Sequence, residues 1–97
     1  MLVRALVFAR LREIVGAADI QRELPPGATV LNLWQALAAE FPELAGYTSA
    51  VSCAINAEYA RMTTPLNEGD EVAFLPPVSG GSGGRQVGGG SAGRAVG

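Results

Sequence analysis

The sequence predicts a small α+β domain in which a mixed sheet of four or five strands packs against one main helix. Apolar residues make up 48% of the 97 residues, which is enough for a hydrophobic core. One segment has the apolar periodicity of an amphipathic helix, and several short segments have the alternation of strands. One sheet and one helix, packed as two layers, would bury both apolar faces with the fewest residues.

The first strand is predicted over residues 2–9, which are rich in Val, Leu and Phe. Alternation predicts two faces for this strand: Arg4, Leu6 and Phe8 on one, and Val3, Ala5, Val7 and Ala9 on the other. If Arg4 faces solvent, Phe8 is also outward, either partly buried under a loop or part of a contact surface. One or two helical turns over residues 10–16, ended by Gly16, and a second strand over residues 20–24 should follow.

The main helix is predicted to begin after Thr29, a suitable N-cap, and to end near Glu40 because Pro42 follows. The Pro25-Pro26-Gly27 stretch separates it from the second strand. Apolar residues recur along it at helical spacing: Val30, Leu33, Trp34, Leu37, Ala38 and Phe41. This stripe, Trp34 included, is expected to form the core rather than a ligand platform.

Three strands and three turns are predicted after the helix: strands over residues 51–55, 58–62 and 70–75, and turns over residues 43–47, 56–57 and 67–69. Cys53 falls on the apolar side of its strand and has no histidine to activate it, which predicts a buried and inert thiol. In the last strand we expect Val72 and Phe74 to face the helix and Leu75 to face outward. The first and last strands are expected to lie side by side in the middle of the sheet.

Composition excludes several kinds of function. The chain has no histidine, no lysine and one cysteine. Catalysis by histidine or lysine, a disulfide within the chain, and a zinc or iron–sulfur site with several Cys or His ligands are therefore excluded. Asp70 and Glu71 start the last strand with side chains on opposite faces, which indicates solvated residues rather than a catalytic pair. We therefore do not expect the chain to act as an enzyme on its own.

Charge and hydropathy bound the partners and the compartment. The net charge is −2, and residues 1–81 carry five Arg against nine Asp and Glu, a balance of −4. Such a domain is not expected to bind nucleic acid, which needs a basic face. The acidic charge either favours a basic partner or reflects ordinary solubility. No apolar stretch approaches the ~20 residues of a membrane span and the start does not resemble a signal peptide, so we expect a cytoplasmic protein that does not enter a membrane.

Residues 82–97 are predicted to be a disordered tail, and residues 1–81 the domain. Seven of the sixteen tail residues are glycine, and the larger apolar side chains among them are Val87 and Val96. Such a segment cannot bury enough surface to offset an ordering entropy of roughly 1–2 kcal/mol per residue.

The stretch LPPVSGG, residues 75–81, ends the last strand in an unusual way. Pro76 and Pro77 fix φ and remove ladder donors, so they should lead the chain away from the sheet in an extended form. Gly80 and Gly81 have no Cβ, which would let the backbone enter a narrow channel in another protein. By composition alone, the two glycines would more readily be explained as the start of a flexible linker.

The order of the residues favours the interpretation that Gly80 and Gly81 enter a channel in another protein. LNEGDEVAFLPPVSGG (66–81) closely resembles the C-terminal signature of the small subunit of molybdopterin synthase, a family of ubiquitin-like sulfur carriers. LVFARLREIVG (6–16) resembles that family's first strand and loop, and CAINAEYA (53–60) is similar to its third-strand turn. The resemblance spans residues 1–81 and implies a β-grasp, or ubiquitin-like, fold.

The resemblance also implies a function. In the family, an E1-like adenylating enzyme uses ATP to activate the terminal glycine, and a sulfur relay converts its carboxylate to a thiocarboxylate. The tail then enters the large synthase subunit, where sulfur is transferred to cyclic pyranopterin monophosphate to build the dithiolene of molybdopterin. Carried onto this chain, Gly81 is the sulfur-bearing residue and Gly80 the slim residue behind it. The chain would be a non-catalytic subunit that itself binds no cofactor and no metal.

The partner interface implied by the resemblance surrounds that tail. Phe8 and Leu75 match positions at which the family buries apolar side chains against its partners. Arg12 lies in the matched loop and is expected to contact the activating enzyme. Pro76, Pro77 and Val78 connect this surface to the two glycines.

Residues 82–97 depart from the family pattern, in which the active chain ends at Gly-Gly. Proteolysis after Gly81 would restore that end. Gly83-Gly84 and Gly97 are lesser candidates for the working terminus, and the tail could also be a linker to a lost fusion partner. Two alternatives to the molybdopterin role remain open: a carrier for thiazole or cysteine synthesis, and a non-covalent β-grasp module whose tail is only a tether.

Overall fold

A computed structural model of the chain describes residues 1–77, in which the main helix packs against one face of a five-stranded sheet. The elements in chain order are β1 (Leu2–Val7), α1 (Ala9–Val15), β2 (Asp19–Glu23), α2 (Val30–Glu40), a 3-10 helix (Pro42–Tyr47), β3 (Ser52–Ile55), β4 (Glu58–Ala60) and β5 (Glu71–Leu75). The predicted order of strands and main helix is confirmed. The predicted domain boundary after residue 81 and the predicted tail lie outside the described residues.

The sheet has the strand order β2-β1-β5-β3-β4, so the first and last strands are neighbours at its centre, as predicted. β1 and β5 are parallel, with Val7 opposite Phe74, and the other neighbouring pairs are antiparallel. On its other side β5 pairs with β3, where Ser52 lies opposite Leu75. The β1 ladder therefore holds β5 as far as Phe74, and the β3 ladder holds it up to its last residue, Leu75.

The core lies between the sheet and α2. Side chains from both layers are fully or almost fully buried: Val3, Ala5, Val7, Leu33, Trp34, Leu37, Val72 and Phe74. The Trp34 and Phe74 rings have centroids 5.0 Å apart and planes tilted by 52°, an arrangement that aromatic pairs favour. Trp34 Nε1 donates to Thr48 Oγ1 at 2.9 Å, so the indole is buried with its polar atom satisfied. The prediction that Trp34 belongs to the core is confirmed.

The start of α2 is capped by its own N-cap and by a distant loop. Thr29 Oγ1 accepts the Asn32 N–H at 3.3 Å, and Asn32 Oδ1 accepts the Thr29 N–H at 2.8 Å. The amides of Val30 and Leu31 donate at 3.0 and 2.8 Å to carbonyl groups in the loop that follows β4. Because a helix leaves its first amides without internal partners, this loop completes the helix.

β1 ends at Val7, so its predicted extension to residue 9 is wrong. Phe8 still has an extended backbone, with φ −124°, but its carbonyl oxygen accepts the Leu11 N–H at 3.0 Å and thereby opens α1. Ala9, expected on the buried face of the strand, is instead exposed in the first turn of α1, with φ 51°. The chain leaves the sheet here because α1 packs against β1, β5 and the 3-10 helix. Gly16 ends α1 with φ 83°, as predicted.

β4 ends at Ala60, two residues before its predicted end. Residues 61–64 form a turn in which the Thr64 N–H donates to the Arg61 carbonyl oxygen at 3.0 Å. Met62 and Thr64 in this turn supply the two carbonyl groups that cap α2. The strand is therefore shortened by the need to reach the helix.

Cys53 is buried, as predicted. Its thiol donates to the carbonyl oxygen of Ala60, with Sγ 3.2 Å from that oxygen. Burial raises the pKa of the Cys53 thiol, so the thiolate form that reacts with electrophiles is disfavoured. Within residues 1–77, no helix has the length and apolar character that a membrane crossing requires.

Candidate functional site

The chain leaves the sheet at Pro76 and Pro77, which follow the last residue of β5. Pro76 is half-buried and Pro77 is exposed. The ladder with β1 stops at Phe74 and the ladder with β3 stops at Leu75. Pro76 and Pro77 have no N–H to extend either of them. The exit therefore lies at the end of a central strand, with β1 on one side and β3 on the other.

Two of the predicted interface residues lie at the same end of the sheet as this exit. Leu75 is half-buried, while Val72 and Phe74 are fully buried, so the predicted facing of β5 is confirmed. Phe8 follows Val7, which is opposite Phe74, and it is 42% exposed. Its exposure matches the expectation, although Phe8 lies beyond β1 and not within it.

A row of apolar side chains crosses the open face of the sheet beside the exit. Leu6 is opposite Ala73, Ala73 is opposite Ala54, and Ala54 is opposite Tyr59. Together with Leu75, which shares the face of Ala73 by alternation, these residues form what we call the open-face patch. It extends from β1 to the edge strand β4.

Tyr59 is the patch residue that the sequence analysis missed. It is 85% exposed, and Ala54, directly opposite, is buried. An aromatic ring so exposed on a strand indicates a contact surface. Alternation within residues 58–62 separates Tyr59 from Glu58 and Ala60, and this signal could have identified it.

Ion pairs bound the open-face patch on the side away from the exit. Arg4 lies on the same face, with its guanidinium 3.1 Å from Glu71 and 3.9 Å from Asp19. The guanidinium and the two carboxylates are all partly exposed, so we attribute little stability to these pairs. They do mark the border between an apolar half of the face and a charged half.

Arg12 is exposed on α1, within a turn of Phe8, and has no carboxylate of residues 1–77 within 4 Å. Its neighbour Arg10 is engaged instead, at 3.1 Å from Glu13 and 3.5 Å from Glu43. Within residues 1–77 Arg12 is therefore an exposed arginine without an ion pair, and its predicted contact with the activating enzyme stays a prediction.

Asp70 and Glu71 do not form a reactive pair. Asp70 is only 9% exposed, so the expectation of a solvated side chain is wrong for this residue. Its carboxylate accepts from Asn56 Nδ2 at 3.0 Å and from the Asn67 N–H at 2.8 Å, which fixes the turn that leads into β5. Glu71 is held by Arg4 on the open face.

The structure thus brings Phe8, Leu75, Pro76 and Pro77 to one end of the sheet, with Arg12 close behind on α1. The other predicted site residues, Val78, Gly80 and Gly81, lie outside the described residues. What the described part offers is a sheet face that carries apolar side chains and a chain that leaves the sheet at the end of a central strand.

The fold and this exit define a ubiquitin-like β-grasp protein, and comparison with known proteins supports that class. The crystal structure of SAMP1 from Haloferax volcanii superposes with a TM-score of 0.72 at 27% identity, covering 84% of this chain and 100% of that one. The predicted β-grasp fold is confirmed.

The profile of the ThiS family matches residues 5–81, and the chain belongs to that family. It is 38% identical over 84 residues to the molybdopterin synthase sulfur carrier subunit of Escherichia coli, covering 82% of this chain and 100% of that protein. It is 37% identical over 79 residues to the corresponding protein of Arabidopsis thaliana, covering 81% of this chain and 82% of that one. The resemblance predicted from the sequence is therefore confirmed.

Proposed function

We propose that the chain is the sulfur-carrying small subunit of a molybdopterin synthase. The observation that carries this proposal is the position of the exit, at the end of a central strand and beside the open-face patch, whose Tyr59 is 85% exposed. A partner that covers the patch would receive the chain end directly. Relatives of 37% and 38% identity are named molybdopterin synthase sulfur carrier subunits, which supports the same role.

The proposed chemistry takes place on Gly81 after the chain has been cut behind it. An oxygen of the Gly81 carboxylate attacks the α-phosphorus of ATP on an E1-like adenylating enzyme, and pyrophosphate leaves. A sulfide equivalent from the relay then attacks the acyl carbon and AMP leaves, which gives the thiocarboxylate. In the large synthase subunit this sulfur passes to cyclic pyranopterin monophosphate, and the carboxylate is regenerated by water.

In this scheme the domain supplies position and not catalysis. The open-face patch and Phe8 would dock on the partner, and Pro76 and Pro77 would hold the exit extended so that Gly80 and Gly81 reach into its active site. Because both partners need the same chain end, they would bind in succession. Because the two prolines would restrict the backbone before binding, less conformational entropy would be lost when the partner binds.

The experiment is to incubate the 1–81 form with ATP, an adenylating enzyme and a sulfur donor, and to measure the mass of the C-terminal peptide. A gain of about 16 Da, sulfur in place of oxygen, is expected. The matched controls are the 1–97 chain, which should gain no mass unless it is first cut, and Gly81→Ala in the 1–81 form, which should react more slowly. An uncut 1–97 chain that gains sulfur as fast as the 1–81 form would contradict the proposal.

A second candidate is a sulfur carrier for thiazole or cysteine synthesis. The match to the ThiS family and the likeness to SAMP1 are compatible with it. Co-purification from native cells separates the two: the molybdopterin role predicts recovery of a large synthase subunit, and its absence from a preparation rich in the adenylating enzyme favours the alternative. A non-covalent module would tolerate Gly81→Ala without loss of function.

A further inference from the structure

The ion pairs of the described residues leave a particular set of charges without a partner. Salt bridges engage Arg4, Arg10, Arg22 and the terminal amine. Among residues 1–77 the charged side chains that form none are Arg12, Arg61, Glu58, Glu68 and Asp70. Residues 78–97 contain no Asp or Glu side chain that could engage the two arginines.

The three acidic residues of this set lie at the end of the sheet where β5 begins. Glu58 opens β4 opposite Ile55, and Ile55 is itself opposite Val72 near the start of β5. Glu68 and Asp70 belong to the turn that precedes β5, and Glu68 accepts the backbone N–H of Leu2 at 3.1 Å. This end of the domain holds its unpaired negative charge.

The two arginines lie in the segments that follow β1 and β4, two strands that both end toward the finish of β5, although Arg61 also lines a cleft beside β4 that extends to Glu58 and Asp70. Arg61 follows Ala60, which is opposite Cys53. Ser52 precedes Cys53 and is opposite Leu75, the last residue of β5, so the register places Arg61 level with the end of β5. The end of β4 is two strand spacings, about 10 Å, from β5. Arg12 lies on α1, which follows β1, the neighbour of β5 on the side away from β3, and which packs against both strands. The exit therefore lies between the strand that leads to Arg12 and the pair of strands that leads to Arg61.

We propose that Arg12 and Arg61 are paired contacts for carboxylates on the rim of the channel through which the adenylating enzyme receives the tail. This inference rests on the proposed function and adds the charge of the partner's surface. The arginines without an ion pair lie in segments near the exit, and the acidic residues without one lie near the start of β5, so this part of the charge is unevenly distributed. An uneven charge distribution orients an approaching protein before contact, so the domain would arrive with Pro76 and Pro77 leading.

An acidic rim is the surface that this charge distribution would attract. The balance over residues 1–81 is −4, so an acidic rim repels the domain in most orientations and attracts it when the arginines face forward. The open-face patch lies between the two arginines, which matches the usual anatomy of an interface with an apolar centre and a charged border. Arg61 is the new element, because its position across the exit from Arg12 follows from the strand register.

The test measures the association rate of the 1–81 form with the adenylating enzyme of the same cell, at low and at near-physiological salt. Arg61→Gln removes one positive charge beside the exit. Gln35→Glu, on the exposed side of α2, changes the net charge by the same amount at a position far from the exit. We expect Arg61→Gln to slow association about 2- to 5-fold at low salt, with a smaller effect at high salt. Gln35→Glu should change the rate less than about 1.5-fold at near-physiological salt, where screening shortens the reach of a charge on α2 to about 8 Å, and less than Arg61→Gln at low salt.

Arg61 donates no side-chain hydrogen bond within residues 1–77, so its replacement should leave the melting temperature unchanged. Equal slowing by Gln35→Glu would show that net charge alone acts, and an unchanged rate for the Arg12→Gln, Arg61→Gln double variant would show that the arginines do not contact the rim. Either result overturns the inference and leaves the proposed function standing, provided that the wild-type 1–81 form is adenylated. A wild-type form that is neither bound nor adenylated overturns both.

Discussion

The two faces of the sheet are formed by the same five strands, yet α2 packs on one of them and leaves the other open. On the covered face, Val3, Val7 and Phe74 are at most 1% exposed. On the open face the neighbouring positions carry Arg4, Leu6 and Leu75, which are exposed or half-buried. Because alternate residues of one strand serve the two faces, the residues that specify the fold are separate from those available to a partner. Substitutions on the two faces should therefore have separable effects.

The largest effect is expected on the covered face. Trp34→Ala should lower the free energy of unfolding by about 3–5 kcal/mol, because it removes a fully buried ring and leaves a cavity. Urea unfolding followed by far-UV circular dichroism would measure this loss. Trp34→Phe is the control: it keeps a ring against Phe74 and should cost clearly less. A loss for Trp34→Ala no larger than that for Trp34→Phe would contradict the role assigned to this packing.

The open face should respond in binding and not in stability. Tyr59→Ser should weaken binding to the large synthase subunit about 10-fold, since exposed aromatic residues often dominate interfaces. The free energy of unfolding should stay within about 0.5 kcal/mol, as is usual for exposed positions. Leu2→Ser is the matched control, because Leu2 is 39% exposed at the end of β1 farthest from the exit. If the two substitutions weaken binding equally in calorimetry, the contact surface is not centred on the open-face patch.

The turn between β3 and β4 lies on neither face of the sheet, and a substitution there should give a small gain in stability. Asn56 and Ala57 have φ values of 49° and 73°, a conformation that favours Asn-Gly in a two-residue turn. Ala57→Gly should therefore raise the free energy of unfolding by about 0.5–1 kcal/mol. Ala36→Gly, in the middle of α2, should lower it by a similar or larger amount. Thermal unfolding of both variants would test the pair, and a loss of stability in Ala57→Gly would contradict the turn geometry.

The smallest effect is expected for an ion pair on the otherwise apolar covered face. Arg22 of β2 donates through Nε to Glu40 Oε2 at 2.7 Å, and this hydrogen bond lowers the pKa of Glu40 from its ordinary value of 4.5. A carboxylate with a lowered pKa in the folded state adds stability in full above the ordinary value. That contribution disappears as the pH falls through the lower folded-state value. Measured from neutral to acid pH, the difference in stability between wild type and Glu40→Gln should be constant above 4.5 and close below it. A gap that widens in acid would contradict the assignment.

The sequence was sufficient where a structure depends on near neighbours. Helical spacing identified α2 and the burial of Trp34, alternation identified the facing of β5, and Gly16 marked the end of α1. The C-terminal stretch from Leu66 to Gly81 identified the family. Each of these signals is contained within one short, continuous stretch of the chain.

The sequence was insufficient where a distant segment decides. Ala9 leaves the sheet because α1 packs against β5 and the 3-10 helix, and β4 ends early because the following turn caps α2. Asp70 is buried because Asn56, in the turn between β3 and β4, donates to its carboxylate. The flanking of the exit by Arg12 and Arg61 depends on the strand order β2-β1-β5-β3-β4. Local alternation contains none of this information.

The central place of β5 also determines how the domain would resist mechanical force. A partner that pulls on the tail pulls along β5, parallel to β1 and antiparallel to β3. The hydrogen bonds of both ladders lie across that direction, so they are loaded together in shear and cannot be unzipped one at a time from an edge. The domain should therefore resist unfolding when force is applied to its C-terminus. A tail attached to an edge strand would allow the strands to separate one hydrogen bond at a time.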